Sequence, residues 1–278
     1  IPNYSRLADE NGQAPPVTRG NVGYKKTFID TVGSGRLLDW KFYPLDDYRY
    51  DKDINTRQDL LLNFGIAYVL FDGLSIDLKY QYEKQLSETK NDHDIRSFYT
   101  RDLINYWTTF SGNNTIYSIP KGSIIDINNS TLNSHSGRTV LNYDKIVGNH
   151  GISAIAGFEV RDRSTSGSLY RNYGVNNDVL TVSSVDYVTP KLTIFGFEAE
   201  IPGGSSLNAT TNRFVSIFTN ASYTYKDRYT LSGSLRRDAS NIFGVATNDR
   251  WNPLYSVGVA WYVSKEDFFR IYPVSFLK

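Results

Sequence analysis

The sequence predicts an all-β protein whose antiparallel strands follow one another up and down, and three observations predict it. Apolar residues recur with a period of two almost wherever a period exists. Helical periodicity is nearly absent, apart from a turn at Ser264 to Phe269. Short links alternate with long ones along the chain, as in a meander with tight turns at one end and loops at the other.

The first apolar row is Leu62, Phe64, Ile66, Tyr68 and Leu70. The second is Leu74, Ile76, Leu78, Tyr80 and Tyr82, alternating with Ser75, Asp77, Lys79, Gln81 and Glu83. Successive strand side chains point to opposite faces, so this segment has one apolar and one polar face. Asp72-Gly73 joins the two rows and suits a tight hairpin whose central positions take positive φ. Leu141 and Tyr143 then precede a link at 148–151, and Ile152, Ala154, Ala156, Phe158 and Val160 follow it. Val215, Ile217, Thr219, Ala221, Tyr223 and Tyr225 lead into Lys226-Asp227-Arg228, and Tyr229, Leu231, Gly233 and Leu235 lead out. Tyr255, Val257, Val259, Trp261 and Val263 form the last clear row. Those are seven strands, with weaker candidates at Leu37 to Tyr43 and at Pro273 to Lys278. The long links are expected at about 87–138 and 164–212, with a shorter one at about 241–253.

Composition narrows the class. The 278 residues carry 30 Lys and Arg against 29 Asp and Glu, a formal charge of +1, which gives no reason to expect nucleic-acid binding. Without Cys there is no disulfide, thiolate nucleophile or Cys metal site. No stretch approaches the roughly 18 to 20 apolar residues of a membrane-crossing helix, and no basic-then-apolar leader opens the chain. That excludes helical spans but not a barrel. The start at Ile1-Pro2, with no Met anywhere, suggests a piece of a longer chain.

Periodicity does not say what the apolar rows touch. In a soluble sandwich they face a core; in an outer-membrane barrel they face lipid and the polar rows line the lumen. Two features favour the membrane. Tyr80, Tyr82, Tyr223, Tyr225, Tyr229 and Trp261 sit where an interfacial aromatic girdle belongs. The polar rows carry Asp77, Lys79, Glu83, Glu159, Arg161, Arg236 and Asp238, too charged for a filled interior but suited to a wet lumen. On this reading residues 1–278 form part of one antiparallel up-and-down transmembrane β-barrel domain. So few strands leave open edges, which lipid does not tolerate, so the set is partial.

The segment from Arg228 to Phe269 resembles a signature of SusC/RagA-type TonB-dependent transporters, an R-x-D-G-S-S-R-F-G block, then R-W-G, then a run ending S-x-A-W-x-x-S-x-E-x-F. Arg236, Asp238, Ser240, Phe243, Gly244, Arg250, Trp251, Ser256, Ala260, Trp261, Ser264, Glu266 and Phe268 match. Ala239, Asn241, Ile242 and Asn252 depart from it, and Leu254-Tyr255 stands where Phe-Pro is usual. Looser similarity extends to Ser97 to Asn105 and to Leu141 to Glu159. The resemblance implies strands from a larger, roughly 22-stranded barrel around an N-terminal plug. It implies a Bacteroidetes-like outer-membrane importer of oligosaccharides or peptides, energised by TonB through an N-terminal region and working with a SusD-like lipoprotein. It implies no enzyme activity and no cofactor.

Other constellations are weaker. His93, His135 and His150 fall in separate links with no i,i+4 partner, and read as solvated loop residues rather than ligands. Asp46-Asp47 and Asp51-Lys52-Asp53 lack the spacing of a calcium loop, and Gly203-Gly204 has no Lys after it to make a phosphate loop. Arg236 and Asp238 lie two apart on one strand, where they would pair with each other or contact ligand or plug. Tyr99, Tyr106, Trp107, Tyr117, Tyr170 and Tyr173 in the long links either stack on a ligand, dock a lid protein or pack the links against themselves. Two alternatives remain open: a soluble secreted β-protein that binds glycans through aromatic loops, and a structural component of an outer-membrane complex.

Overall fold

A computed structural model describes residues 4–17, 26–242, 252–270 and 273–278. Seven long strands carry it: β1 Asp51–Phe71, β2 Leu74–His93, β3 Ser123–Val147, β4 His150–Asn176, β5 Ser206–Tyr225, β6 Tyr229–Ser240 and β7 Asn252–Trp261. They lie in the sheet in chain order, β1 through β7, with the short segment Thr181–Ser183 added beside β4. This is an up-and-down meander, and among the described residues it is an open sheet with β1 and β7 at its edges.

The strands outrun their apolar rows. A tilted crossing takes about 9 to 11 residues, whereas β3 has 25 and β4 has 27. The expected links at about 87–138 and 164–212 are therefore too long. Strand continues to His93 and Asn176, and resumes at Ser123 and Ser206. On β2 alternation is lost there because both faces become polar, as in Ser87 to Asp92, whereas the extensions of β3 and β4 bury Ile124 and Tyr173 without a period of two in the sequence around them.

The turns follow local chemistry. At Asp72-Gly73 the glycine takes φ 89°, and its carbonyl accepts the amide of Asp144. Lys226 and Asp227 both adopt positive φ, 50° and 56°, and the Arg228 amide closes the turn on the Tyr225 carbonyl at 3.0 Å. That is the twist a two-residue hairpin needs, achieved without glycine.

Three other expectations change. Leu37 to Tyr43 is not a strand; its extended contact is a single bridge between Val17 and Phe42. Pro273 to Lys278 forms no regular element. A helix, Phe98–Tyr106, stands where no helical period was visible. It starts on Ser97, whose hydroxyl accepts the Thr100 amide, while the Asp47 carboxylate accepts the Phe98 amide, so two of the orphan N–H groups at its start are satisfied. The turn at Ser264 to Phe269 takes the form of a 3₁₀ helix at Val263–Lys265.

The chain divides into two compact units. The first comprises residues 1–57, 87–130 and 167–208, and the second comprises 58–86, 131–166 and 209–278; β1 to β5 contribute to both. The first unit has a hydrophobic core of Ile104, Trp107, Ile119, Ile124, Tyr173 and Ile201. Its links add two small hairpins, Thr108–Ser111 with Asn114–Tyr117 and Lys191–Leu192 with Glu198–Ala199. The second unit is sheet, and the core cluster draws no residue from it.

Candidate functional site

In the second unit the strand register sorts side chains onto two faces. Between β5 and β6, Thr219 lies opposite Leu235, Tyr223 opposite Leu231 and Tyr225 opposite Tyr229. Between β6 and β7, Leu231 lies opposite Val259 and Tyr229 opposite Trp261. The apolar rows thus share one face, and among the described residues it stays open: Ile66 is 67% exposed, and Ile217 and Leu231 are each 54% exposed.

The opposite face carries paired polar groups, in two separate sets. Asp77 on β2 accepts the side-chain amide of Asn142 on β3 at 2.6 Å. Arg138, on the same face of β3 as Asn142, pairs with Glu159 on β4 at 3.2 Å. Glu159 also meets Arg236 of β6 at 3.4 Å. Arg236 donates through Nε to both oxygens of Asp238 at 2.9 Å, and through Nη2 to the Ser216 hydroxyl at 3.1 Å. The Phe218 ring lies between the two guanidiniums, 5.4 Å from Arg138 and 5.5 Å from Arg236. Gly157 makes room for that ring: a Cβ there would sit 2.2 Å from it. The ion pairs are half-exposed, so each contributes at most about 1 kcal/mol to stability. Their chief effect is to present opposite charges in fixed positions.

Of the residues singled out from sequence, the contacts unite Glu159, Arg236 and Asp238, while Asp77 pairs separately with Asn142. Lys79, Glu83 and Arg161 share the strand parity of Asp77 and Glu159. Ser240 is buried at the end of β6. Phe243, Gly244, Arg250 and Trp251 lie outside the described residues. Arg138, Ser216, Phe218 and Gly157 went unnoticed in the sequence. Arg138 had a signal, a charge out of step with Leu141 and Tyr143 of the apolar row, whereas Phe218 breaks the alternation and only register reveals it.

Trp261 belongs to a second constellation. The Glu266 carboxylate accepts the Tyr229 hydroxyl at 2.5 Å, the Trp261 indole at 3.0 Å and Arg228 at 2.8 Å. The Tyr229 hydroxyl first, then the Trp261 indole and Arg228, hold its carboxyl below the usual range. The clamp fixes two large aromatics beside the Lys226-Asp227 turn.

In the first unit the aromatic candidates divide. Trp107 and Tyr173 are buried in its core, and Tyr99, Tyr106 and Tyr117 pack against them. Trp107 and Tyr173 therefore present no ring face to a ligand, because removing them from water is what folds the links. Tyr170 is exposed. A bidentate pair joins the Arg171 guanidinium to Asp126 at 2.6 and 2.5 Å, with both side chains largely buried. The histidines are not loop residues. His93 ends β2, bonded to Asp51 at 2.9 Å and packed on Tyr99; His135 in β3 meets the Tyr80 hydroxyl at 2.8 Å; His150 opens β4 and meets the Tyr223 hydroxyl at 2.6 Å. Among the described residues no group of three or more His, Cys, Asp or Glu could hold a metal ion.

No protein-family model matches the chain. Two curated relatives from Formosa agariphila do. TonB-dependent receptor P39 is 25% identical over 142 residues, 51% of this chain and 12% of the relative. TonB-dependent receptor P26 is 24% identical over 179 residues, 63% of this chain and 17% of the relative. The fold decides the comparison: the RagAB peptide transporter superposes on 95% of this chain and 25% of its own at a TM-score of 0.65, with 13% identity. The chain resembles part of a TonB-dependent receptor. The RagAB peptide importer in its open-open state agrees, covering 96% of the chain at a TM-score of 0.66 and 14% identity. The chain spans less than a fifth of the length of these curated relatives and a quarter of the solved chains. The sequence resemblance to SusC/RagA-type transporters and the antiparallel barrel-wall fold thus converge. The relatives and neighbours are named receptors and transporters, not enzymes.

Proposed function

We propose that this chain is a section of the barrel wall of a TonB-dependent outer-membrane importer. The observation that carries the reading is the inverted sheet of the second unit. Among the described residues its apolar face is exposed along consecutive strands, while Arg138, Glu159 and Arg236 pair with one another on the other face. A soluble monomer rarely exposes a contiguous apolar surface beyond a few hundred Å², whereas a barrel wall needs it against lipid. The polar face, with Asp77, Lys79, Glu83, Glu159, Arg161, Arg236 and Asp238, is then the lumen wall, where paired opposite charges keep water and offer polar ligands a hydrated path.

The cargo is an oligosaccharide or a peptide, the latter supported by the naming of RagAB as a peptide transporter. TonB supplies the energy and a SusD-like lipoprotein is the surface partner. Tyr170 is the most exposed of the candidate aromatics for a ligand or lid, with Tyr99, Tyr106 and Tyr117 partly buried. The wall itself performs no covalent chemistry. Fractionation of cells making the intact receptor tests the reading. The protein should sediment with outer membranes and leave them only with detergent. Recovery in the aqueous fraction would instead support the secreted glycan-binding alternative.

A further inference from the structure

The apolar face of the second unit is notched on β3. Gly137 stands in its outward row: a Cβ there would lie 3.4 Å from Cγ1 of Val160, in the outward row of β4. A trough of about 240 Å³ opens at Gly137 and Thr139. Phe64, Ile66, Leu78 and Tyr80 wall it on one side, and Phe158 and Val160 on the other. All six belong to the apolar rows, and the Phe64 and Tyr80 rings stack at 6.4 Å. At the end remote from the tight turns the Tyr80 hydroxyl meets His135 at 2.8 Å, and the Tyr82 ring lies 5.0 Å from the His135 ring. The trough therefore starts at a polar, aromatic rim and descends between apolar walls.

We propose that this trough seats one acyl chain of an outer-leaflet membrane lipid, with the ester or amide link of that chain at the His135–Tyr80 pair. The proposal rests on the membrane-wall reading. Three physical arguments select a hydrocarbon chain. First, β2 and β4 flank β3 in the sheet, and strands lie about 4.8 Å apart, so the walls stand about 10 Å apart from backbone to backbone. Once the wall side chains take their share, the slot is one methylene chain wide. Its volume is below the roughly 300–1,000 Å³ of sites for drug-sized ligands, which suits a chain segment rather than a ring system. Second, a bound water needs about two to four polar partners, and the lining is mostly apolar. An empty slot would forfeit the dispersion contacts of its walls. Third, tyrosine marks the level of the bilayer interface, so the polar rim lies where a lipid joins its chains to its headgroup.

Photo-crosslinking of the intact receptor carrying this chain, reconstituted in phosphatidylcholine vesicles, tests the trough. The probe is phosphatidylcholine bearing a diazirine in the upper half of one acyl chain, and adducts are mapped by peptide mass spectrometry. Thr139, Phe158 and Ile217 each lie eight residues from the turn end of their strands, but Ile217 is outside the trough. Adducts per exposed area at Thr139 and Phe158 should exceed those at Ile217 about threefold. Gly137→Leu fills the slot and should abolish the excess at Phe158. Gly233→Leu, on the outward row of β6 where a Cβ lies 3.7 Å from its nearest neighbour, should leave the excess unchanged. Heat-modifiable migration on a gel confirms that each variant is folded. If Gly137→Leu is not, Thr139→Leu narrows the slot and should lower the excess at Phe158. Uniform labelling of the apolar face of the wild type overturns the proposal, and so does an excess that survives in the folded Gly137→Leu receptor. Labelling in the trough below that at Ile217 also overturns it, and marks a protein surface seated there. A receptor that stays out of the vesicles overturns the wall reading first, whereas an inserted receptor with uniform labelling overturns this inference only.

Discussion

Tyr173 shows how single side chains commit the first unit to one packing. Its ring is fully buried, its hydroxyl donates to the Pro202 carbonyl at 3.1 Å, and burial pushes its pKa up to about 12 from an ordinary 10.0. A phenol whose folded pKa is raised adds stability that is whole below pH 10 and disappears as the pH climbs through 12. The first unit should therefore loosen across that window. Tyrosinate absorbance followed with limited proteolysis should show the two changes together, and Tyr173→Phe should remove that part of the alkaline sensitivity. Ion pairs differ by burial in the same way. Arg171 and Asp126 are 17% and 14% exposed, so removing one strands a charge at a cost of about 3–5 kcal/mol. The exposed pair of Arg213 and Asp162 contributes about 0–1 kcal/mol.

Between elements, the helix Phe98–Tyr106 explains why Leu37 to Tyr43 is not a strand. The Asn105 side chain accepts the Leu38 amide and donates to the Leu38 carbonyl, both at 2.9 Å, reproducing a strand partner with one residue. Asp102 accepts the Trp40 indole at 2.7 Å, and Arg101 donates to the Asp39 carbonyl. Asn105→Ala leaves both Leu38 groups unpaired, and should cost the first unit about 2–6 kcal/mol at about 1–3 kcal/mol per buried group. Faster proteolysis near Trp40 would register it, and an unchanged cleavage rate would contradict the strap. A close backbone approach constrains the same unit: a Cβ on Gly122 would lie 2.5 Å from the backbone of Gly174. On the sheet, Leu235 lies opposite Thr219 and Tyr255 on the apolar face. Leu235→Arg in the intact receptor should cost about 2–4 kcal/mol if that position meets hydrocarbon near the midplane. Urea unfolding from lipid vesicles measures it, and a neutral result would remove the face assignment.

Across the whole molecule, the seven strands, their order and the face carried by each row were legible in the residues, because a period of two is a local property that every strand repeats. The resemblance at Arg236, Asp238, Trp261 and Glu266 was legible as well, though not what those residues touch. The extension of β2 to β5 beyond the apolar rows was not, since in these stretches polar residues such as Ser87 to Asp92 break the alternation, and burial of Ile124 and Tyr173 depends on contacts with distant segments. Nor was the helix at Phe98: its signal, Ser97 three residues before Thr100, is short, and Asp47 completes the cap from a distant segment. Sequence by itself determined the alternation, the turns and therefore the two-faced sheet, because each depends on neighbours a few residues apart. Only the tertiary structure decided that Trp107 and Tyr173 are core rather than ligand platforms, that the histidines have tyrosine or aspartate partners, and that Phe218 sits between two arginines. Those outcomes depend on side chains that the chain brings together from far apart, where burial and hydrogen-bond satisfaction outweigh local preference.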